Sequence, residues 1–182
     1  MSRFGCSRRS PASIAAATMA TAFFLLSTPA SVAQEDVAEG KRIWTERAWC
    51  PQCHGWAGDG LASGFHSPGG LPLRKTKLTR DQIRMTIRCG RPGTAMPHFD
   101  SVAYTDKRCY GMTAKDLGDN VPEPAEHPLQ PYQIDAVADY VSTKLKGAGP
   151  VTHEECLAFF GPEAQIECAK YPQAVDVLSR KQ

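Results

Sequence analysis

The chain has 182 residues, a formal net charge of +2 and 22% charged residues, and its length suits one domain with a modest core. Residues 1–33 contain three arginines and no acidic residue, so the remainder of the chain carries a formal charge of −1. No basic excess is left that would indicate a nucleic-acid-binding protein.

Residues 1–33 have the organisation of a secretory signal peptide. Basic residues precede an apolar run at 14–26, and the small residues Ser31 and Ala33 stand just before Gln34. The run is 13 residues long, whereas about 20 are needed to span a bilayer. We therefore predict cleavage after residue 33, export to the periplasm and no stable membrane insertion afterwards. An uncleaved membrane anchor is the alternative interpretation.

Apolar periodicity predicts a first helix at 36–48. Val37, Gly40, Ile43 and Trp44 recur at three- and four-residue spacing and form one face. A glycine inside a helix costs about 1 kcal/mol relative to alanine. Gly40 therefore indicates either a close helix–helix contact or a tolerated weak point.

Two further helices are predicted across irregular segments. Residues 55–78 are rich in glycine and proline and predict a long loop. Thr79 and Gln82 form a predicted capping box for a short helix that ends at Gly90. Residues 131–147 predict the most regular helix, with a proline in its first turn and a glycine at its end.

An extension follows this last helix. Thr152 and Glu155 predict another capping box, and one more short helix is predicted at 163–171. No segment has the pattern of a strand, so the predicted fold is all-α. We divide the mature chain into a domain at 34–147 and a C-terminal helical extension at 148–182.

Six cysteines remain after the predicted cleavage, and an even number in an exported protein indicates that all are bonded. They are Cys50, Cys53, Cys89, Cys109, Cys156 and Cys168.

The sequence Cys50-Pro51-Gln52-Cys53-His54 has the spacing C-x-x-C-H. Two thiols at this spacing can each form a thioether to one haem vinyl group, and the adjacent histidine can then bind the iron. The pattern is typical of c-type haem attachment. A redox dithiol would need a βαβ context, and a zinc site would need two more ligands at comparable spacing. A disulfide across two intervening residues is uncommon.

A haem bound in this way needs a sixth iron ligand or keeps an open position. Met96 lies in Gly93-Thr94-Ala95-Met96-Pro97, a loop without the periodicity that would bury a methionine in a helix face. We predict Met96 as the ligand. The alternative candidates for the sixth iron ligand are Met85, Met112, His66, His98, His127 and His153.

These motifs in this order resemble a class I cytochrome c over residues 36–147. The shared features are C-x-x-C-H-G, a glycine-rich loop, a short helix, a G-x-x-M-P loop and a final helix carrying "ADYV". Gly40 and Trp44 match the glycine and aromatic residue of the family's first helix. Tyr140 matches the aromatic residue of its last helix, which packs against them.

The resemblance implies roles for individual residues around one covalent haem c. Cys50 and Cys53 match the thioether pair, His54 the proximal ligand and Met96 the distal ligand. In the family, a proline carbonyl accepts the other ring N–H of the proximal histidine, and such bonds tune the ligand's basicity. The candidates for that acceptor are Pro72 first and Pro68 second.

Histidine and methionine on the two axial positions leave no site for oxygen or peroxide and raise the reduction potential. We therefore expect an electron carrier rather than an enzyme. A peroxidase-like enzyme or a sensor is the alternative if Met96 is not a ligand. A third possibility is a cytochrome subunit of a larger dehydrogenase or oxidase complex.

Four cysteines remain for disulfides, with three possible connectivities. We favour Cys89–Cys109 and Cys156–Cys168 because each would join neighbouring elements. The first would close a loop of about 20 residues around Met96, worth around 3 kcal/mol in the chain-entropy model, and would make the methionine loop rigid.

The cysteine-flanked Met96 loop and the segments at 108–122 and 154–161 resemble the cytochrome c-L-like group. That group accepts electrons from periplasmic quinoprotein alcohol or methanol dehydrogenases. The resemblance implies electron flow from pyrroloquinoline quinone to this haem and onward to another cytochrome or an oxidase.

Two sets of charged residues have both a candidate role and a simpler interpretation. One set of acidic residues could form a docking surface for a partner, or could simply belong to a solvated loop: Asp116, Asp119, Glu123 and Glu126. One set of arginines could pair with a haem propionate, or could simply lie on an exposed helix face: Arg84, Arg88 and Arg91.

Overall fold

The computed structural model describes residues 30–61 and 69–179, which form helices and loops with no β-strand among them. Two isolated backbone bridges, His98–Pro124 and Cys109–Met112, are the extended pairings within these ranges. The α-helices are α1 Ala30–Arg42, α2 Pro51–His54, α3 Arg80–Cys89, α4 Ala114–Leu117, α5 Pro131–Tyr140, α6 His153–Phe160, α7 Gln165–Cys168 and α8 Ala174–Ser179. π-Helical turns Ile43–Arg47 and Val141–Leu145 continue α1 and α5, and 3₁₀ turns occupy Leu73–Lys75 and Gly118–Asn120.

The first helix begins earlier than the sequence predicted, at residue 30 rather than 36. Residues 1–29 of the predicted signal peptide lie outside the described residues, and residues 30–33 form the start of α1. Within the described ranges, no helix is both long enough and apolar enough to cross a bilayer. Cleavage and export stay predictions.

Helices α1 and α5 cross at Gly40, which explains the glycine. A Cβ atom built on Gly40 would lie 2.7 Å from the carbonyl carbon of Ala136 and 2.9 Å from Cβ of Tyr140. One turn further on, the rings of Trp44 and Tyr140 pack with centroids 6.0 Å apart. The close helix–helix contact is therefore the correct interpretation of Gly40.

Helix α3 packs on α5 and completes the core. Ile83 and Ile87 of α3 and Val137 of α5 are buried in one cluster with Trp44. On the outer side of this contact, Arg80 donates two hydrogen bonds of 2.8 Å to the carboxylate of Asp139. The apolar stripes of α1, α3 and α5 thus surround a common interior.

The predicted capping boxes are present at Thr79–Gln82 and Thr152–Glu155. Helix α4 lies within the segment at 113–131 that the sequence indicated to be irregular, and α8 was not predicted. Both are short, with 4 and 6 residues, and a single turn of helix leaves no clear apolar period.

The favoured disulfide connectivity is the one in the structure. Cys89–Cys109 and Cys156–Cys168 are bonded, with Cα atoms 5.5 Å and 5.6 Å apart. The second bridge joins α6 to α7 and stabilises the extension.

The extension packs on the loop that follows α2. The ring of Trp56 contacts those of Phe159 and Phe160 at 5.1 and 5.3 Å between centroids, and its indole N–H donates to the hydroxyl of Tyr171 at 3.3 Å. Arg74 forms a second, polar link, because its guanidinium pairs with Glu155 at 2.9 Å. The extension is thereby anchored to the segment around the C-x-x-C-H motif.

Candidate haem-binding site

A cavity of about 940 Å³ opens between the α1–α5 core, α2, α3 and the loop before Pro97. Its walls include the apolar side chains Trp44, Ile83, Ile87 and Val137. A volume of this size lies within the range of sites for small molecules and cofactors. The three residues of the C-x-x-C-H motif and Met96 all line this one cavity.

Helix α2 presents the motif to the cavity. Pro51 occupies its first turn, where the missing N–H is no loss, and the N–H of His54 donates to the carbonyl of Cys50 at 2.9 Å. One helical turn therefore carries Cys50, Cys53 and His54 to the same wall.

The environment of Cys50 argues against a redox dithiol. Reactive thiols in C-x-x-C oxidoreductases have lowered pKa values, which keep the nucleophilic thiolate populated. Burial instead raises the pKa of Cys50 to about 12. A protonated, apolar-facing thiol suits the thioether attachment predicted from the sequence.

The imidazole of His54 is oriented by a backbone carbonyl. Its Nδ1 lies 3.0 Å from the carbonyl oxygen of Leu71, and because a carbonyl can only accept, Nδ1 carries the proton. Burial lowers the pKa of His54, which keeps the ring neutral. Nε2 therefore holds the lone pair that a metal ligand needs.

Leu71 replaces the predicted acceptor, Pro72, which was wrong by one residue. The carbonyl of Pro72 instead accepts the N–H of Lys75 at 3.2 Å in the 3₁₀ turn. Pro72 still lines the cavity. The second choice, Pro68, lies outside the described residues. The proline fixes an extended backbone before it, which indicates why its predecessor supplies the acceptor.

The backbone of Gly70 packs against the His54 imidazole, a role that the sequence did not reveal. A Cβ atom there would lie 2.5 Å from Nδ1 and 2.7 Å from Cε1 of His54. The N–H of Gly70 also donates to the carbonyl of Cys53. The ring thus packs directly on the backbone of residue 70.

We expect Gly70→Ala to displace the His54 ring and break its bond to Leu71. Loss of a partner that orients a metal ligand typically weakens the site 10–100-fold, so we expect about tenfold less haem incorporated per chain, measured by haem absorbance against protein concentration. Gly118→Ala is the control, because a Cβ there meets nothing within 4 Å and the residue does not line the cavity, so it carries only the backbone cost of a positive φ. Equal incorporation in the two variants would contradict this role.

The Met96 loop is a compact turn held by its own backbone. The N–H of Arg91 donates to the carbonyl of Met96 at 3.3 Å, and the N–H of Thr94 donates to that of Arg91 at 3.1 Å. On the other side, the N–H of Gly93 donates to Asn120 at 2.9 Å. The turn places the half-buried Met96 on the cavity wall.

Most alternative ligands lie away from the cavity. Met85 packs with its sulfur 3.4 Å from Sγ of Cys89, and neither Met85 nor His98 nor His153 lines the cavity. Met112 belongs to the bridge with Cys109, and His66 lies outside the described residues. His127 does line the cavity, but its exposed ring packs edge-on against Trp49 at the rim.

The polar lining fits a carboxylate-bearing cofactor. Nε1 of Trp44 is buried without a hydrogen-bond acceptor among the described residues, and Trp44 lines the cavity. A buried donor of this kind requires a partner, which a haem propionate could supply.

Two of the arginines considered from the sequence for a haem propionate already have carboxylate partners. Arg84 pairs with Asp135 at 2.6 Å and Arg88 with Asp100 at 2.8 Å.

Of the three arginines considered for a propionate, Arg91 alone lines the cavity. Its exposed guanidinium is therefore the one available for a charge-assisted bond to a carboxylate. Among the described residues, no cluster of three histidine, cysteine or acidic side chains forms a separate metal site.

Comparison with known proteins gave one family match, to "Cytochrome C oxidase, cbb3-type, subunit III", over residues 35–114. The matched region is just under half of the chain and contains the C-x-x-C-H motif and Met96. No curated protein and no solved structure matched the chain significantly. The match supports a class I cytochrome c domain with haem-based electron transfer. It ends before α5 and the extension.

Proposed function

We propose that this protein is an electron carrier with one covalent haem c, attached through Cys50 and Cys53 and ligated by His54 and Met96. The observation that carries the proposal is that all four side chains line the same cavity. When bound, the haem supplies a one-electron couple between its ferrous and ferric states. The family match over residues 35–114 supports the same class of function.

The chain's own residues would hold the haem in place and set its reduction potential. The Leu71 carbonyl accepts from Nδ1 of His54 at 3.0 Å, and the Gly70 backbone packs against the same ring. The apolar walls formed by Ile83, Ile87 and Val137 exclude water, which favours the less charged ferrous state.

We place the carrier in the periplasm, with a quinoprotein alcohol or methanol dehydrogenase as donor and another cytochrome or an oxidase as acceptor. The signal-like sequence at 1–33 and the two disulfides support an oxidising compartment. The donor rests on the resemblance of the Met96 loop and its flanking segments.

The rim of the cavity suggests how a partner docks. Arg47 and Lys75 are exposed there, and Glu126 is the one carboxylate among the described residues that line the cavity. Of the acids considered for docking from the sequence, Asp116, Asp119 and Glu123 do not line the cavity. A partner that approaches this rim would therefore present an acidic surface.

We expect Lys75→Glu to slow reduction by such a donor about tenfold at low ionic strength, because steering by opposite charges raises association rates. The measurement is stopped-flow reduction by a quinoprotein alcohol dehydrogenase at several salt concentrations. Lys115→Glu, on exposed α4 away from the cavity, is the matched control. Equal rates for both variants would contradict docking at the rim. A dehydrogenase that reduces the wild type no faster than unrelated dehydrogenases do would contradict this donor.

The family description favours a second candidate function, a cytochrome subunit that remains within an oxidase. Isolation from the native membrane and periplasmic fractions separates the two. A carrier is recovered in the periplasmic fraction with no partner in fixed ratio, whereas a subunit is recovered with the oxidase.

A further inference from the structure

The C-terminal end of α3 is capped by the segment that follows Met96. The last four carbonyls of an α-helix have no partner within the helix. The N–H of Phe99 donates to the carbonyl of Ile87 at 3.2 Å, and that of Asp100 donates to Arg88 at 3.0 Å. The chain therefore returns from the methionine loop directly onto the end of the helix.

Two tyrosine hydroxyls satisfy the next two carbonyls. Tyr104 donates to Cys89 at 2.7 Å, and Tyr110 donates to Gly90 at 2.8 Å. Both tyrosines have positive φ, 60° and 55°. Such conformations are unfavourable for a non-glycine residue and persist only where the surroundings fix them. The Cys89–Cys109 disulfide joins the end of α3 to the segment that carries Tyr110.

Gly90 transmits these contacts to the methionine. A Cβ atom on Gly90 would lie 2.7 Å from the carbonyl oxygen of Met96 and 2.8 Å from the carbonyl carbon of Pro97. The backbone of residue 90 thus packs against the Met96–Pro97 peptide. Because of this contact, a shift of the Gly90 backbone would displace the backbone of Met96, whose sulfur is the proposed iron ligand.

We propose that Tyr110 is a positioning residue for Met96, whose hydroxyl fixes the Gly90 carbonyl and so holds the methionine sulfur in place for the iron. The inference rests on the proposed His54/Met96 ligation. Tyr110 is 42% exposed whereas Tyr104 is 3% exposed. Removal of the Tyr110 hydroxyl therefore tests the bond without opening the core.

The Tyr110 hydroxyl is protonated at neutral pH, because tyrosine ionises only near pH 10, so it can donate to the Gly90 carbonyl. The same side chain lies near Thr86 and Arg91, both of which line the cavity. The tyrosine therefore stands between the capped helix end and the methionine side of the proposed haem site.

The test is imidazole binding to the ferric holoprotein of Tyr110→Phe. Imidazole can occupy the iron only in molecules whose methionine is released, so its apparent affinity follows the population of that state. Loss of one neutral hydrogen bond should raise this affinity about fivefold. A role in global stability alone would change the denaturation midpoint without changing imidazole affinity.

Tyr132→Phe, an exposed residue in the first turn of α5, is the matched control and should bind imidazole as the wild type does. Methionine sulfur bound to ferric iron gives a weak red absorption band. If the wild type shows this band but Tyr110→Phe and Tyr132→Phe bind imidazole equally, the positioning role is wrong and the carrier function stands. If the wild type lacks that band, the proposed ligation fails and the inference fails with it.

Discussion

Met96→Ala should lower the reduction potential by on the order of 0.2 V, a part of the about 0.8 V range that axial ligands control. The thioether of methionine stabilises the ferrous state, and water in its place stabilises the ferric state. Met96 lies on the wall of the cavity that also contains His54. The measurement is an equilibrium redox titration of the purified holoprotein.

Met112→Leu is the control for this change, because Met112 lies in the bridge with Cys109 and does not line the cavity. It should leave the potential unchanged. His127→Ala is the informative second variant, since His127 lines the cavity at its rim. A potential that changes in His127→Ala and not in Met96→Ala would assign the ligand to the histidine.

Arg74→Met should destabilise the fold strongly, although Arg74 is not a haem ligand. The guanidinium is part of a residue only 8% exposed, and it donates to the carbonyls of Ala57, Gly149 and Pro150 at 3.2, 2.6 and 3.2 Å. Nη2 also pairs with both carboxylate oxygens of Glu155. Removal would leave these acceptors unpaired, and breaking such a pair costs roughly 3–5 kcal/mol.

We expect about 3 kcal/mol here, at the lower end of that range, because the Glu155 carboxylate retains access to water. The measurement is the free energy of unfolding in denaturant. Arg42→Met is the control, since the exposed Arg42 pairs with Glu39 and Glu46 within about one helical turn and should change stability little. Similar losses in both variants would mean that Arg74 does not anchor the extension.

The sequence predicted the parts of this fold that depend on local pattern. The capping boxes at Thr79 and Thr152 place their helices because a side chain bonds to a backbone only three residues away. The match of Gly40 with Tyr140 was found because the resemblance supplied both partners. The C-x-x-C-H spacing indicated the haem site because the two thiols and the histidine lie within five consecutive residues.

What the sequence did not predict depends on contacts between distant residues. Nothing in a lone arginine marks Arg74 as buried, because its acceptors are carbonyls far along the chain. The carbonyl that meets His54 belongs to Leu71 rather than Pro72, because a backbone acceptor leaves no trace in residue type. The same holds for Tyr110, whose partner is the carbonyl of Gly90.

The absorption spectrum of the ferric holoprotein shows whether His54 and Met96 together ligate one haem. Ligation by both residues should give a low-spin spectrum with the weak red band that arises when methionine sulfur binds ferric iron. A high-spin spectrum would mean an open iron site and favour an enzyme or a sensor. A low-spin spectrum without the band would mean a nitrogen ligand in place of Met96, and either result would contradict the account.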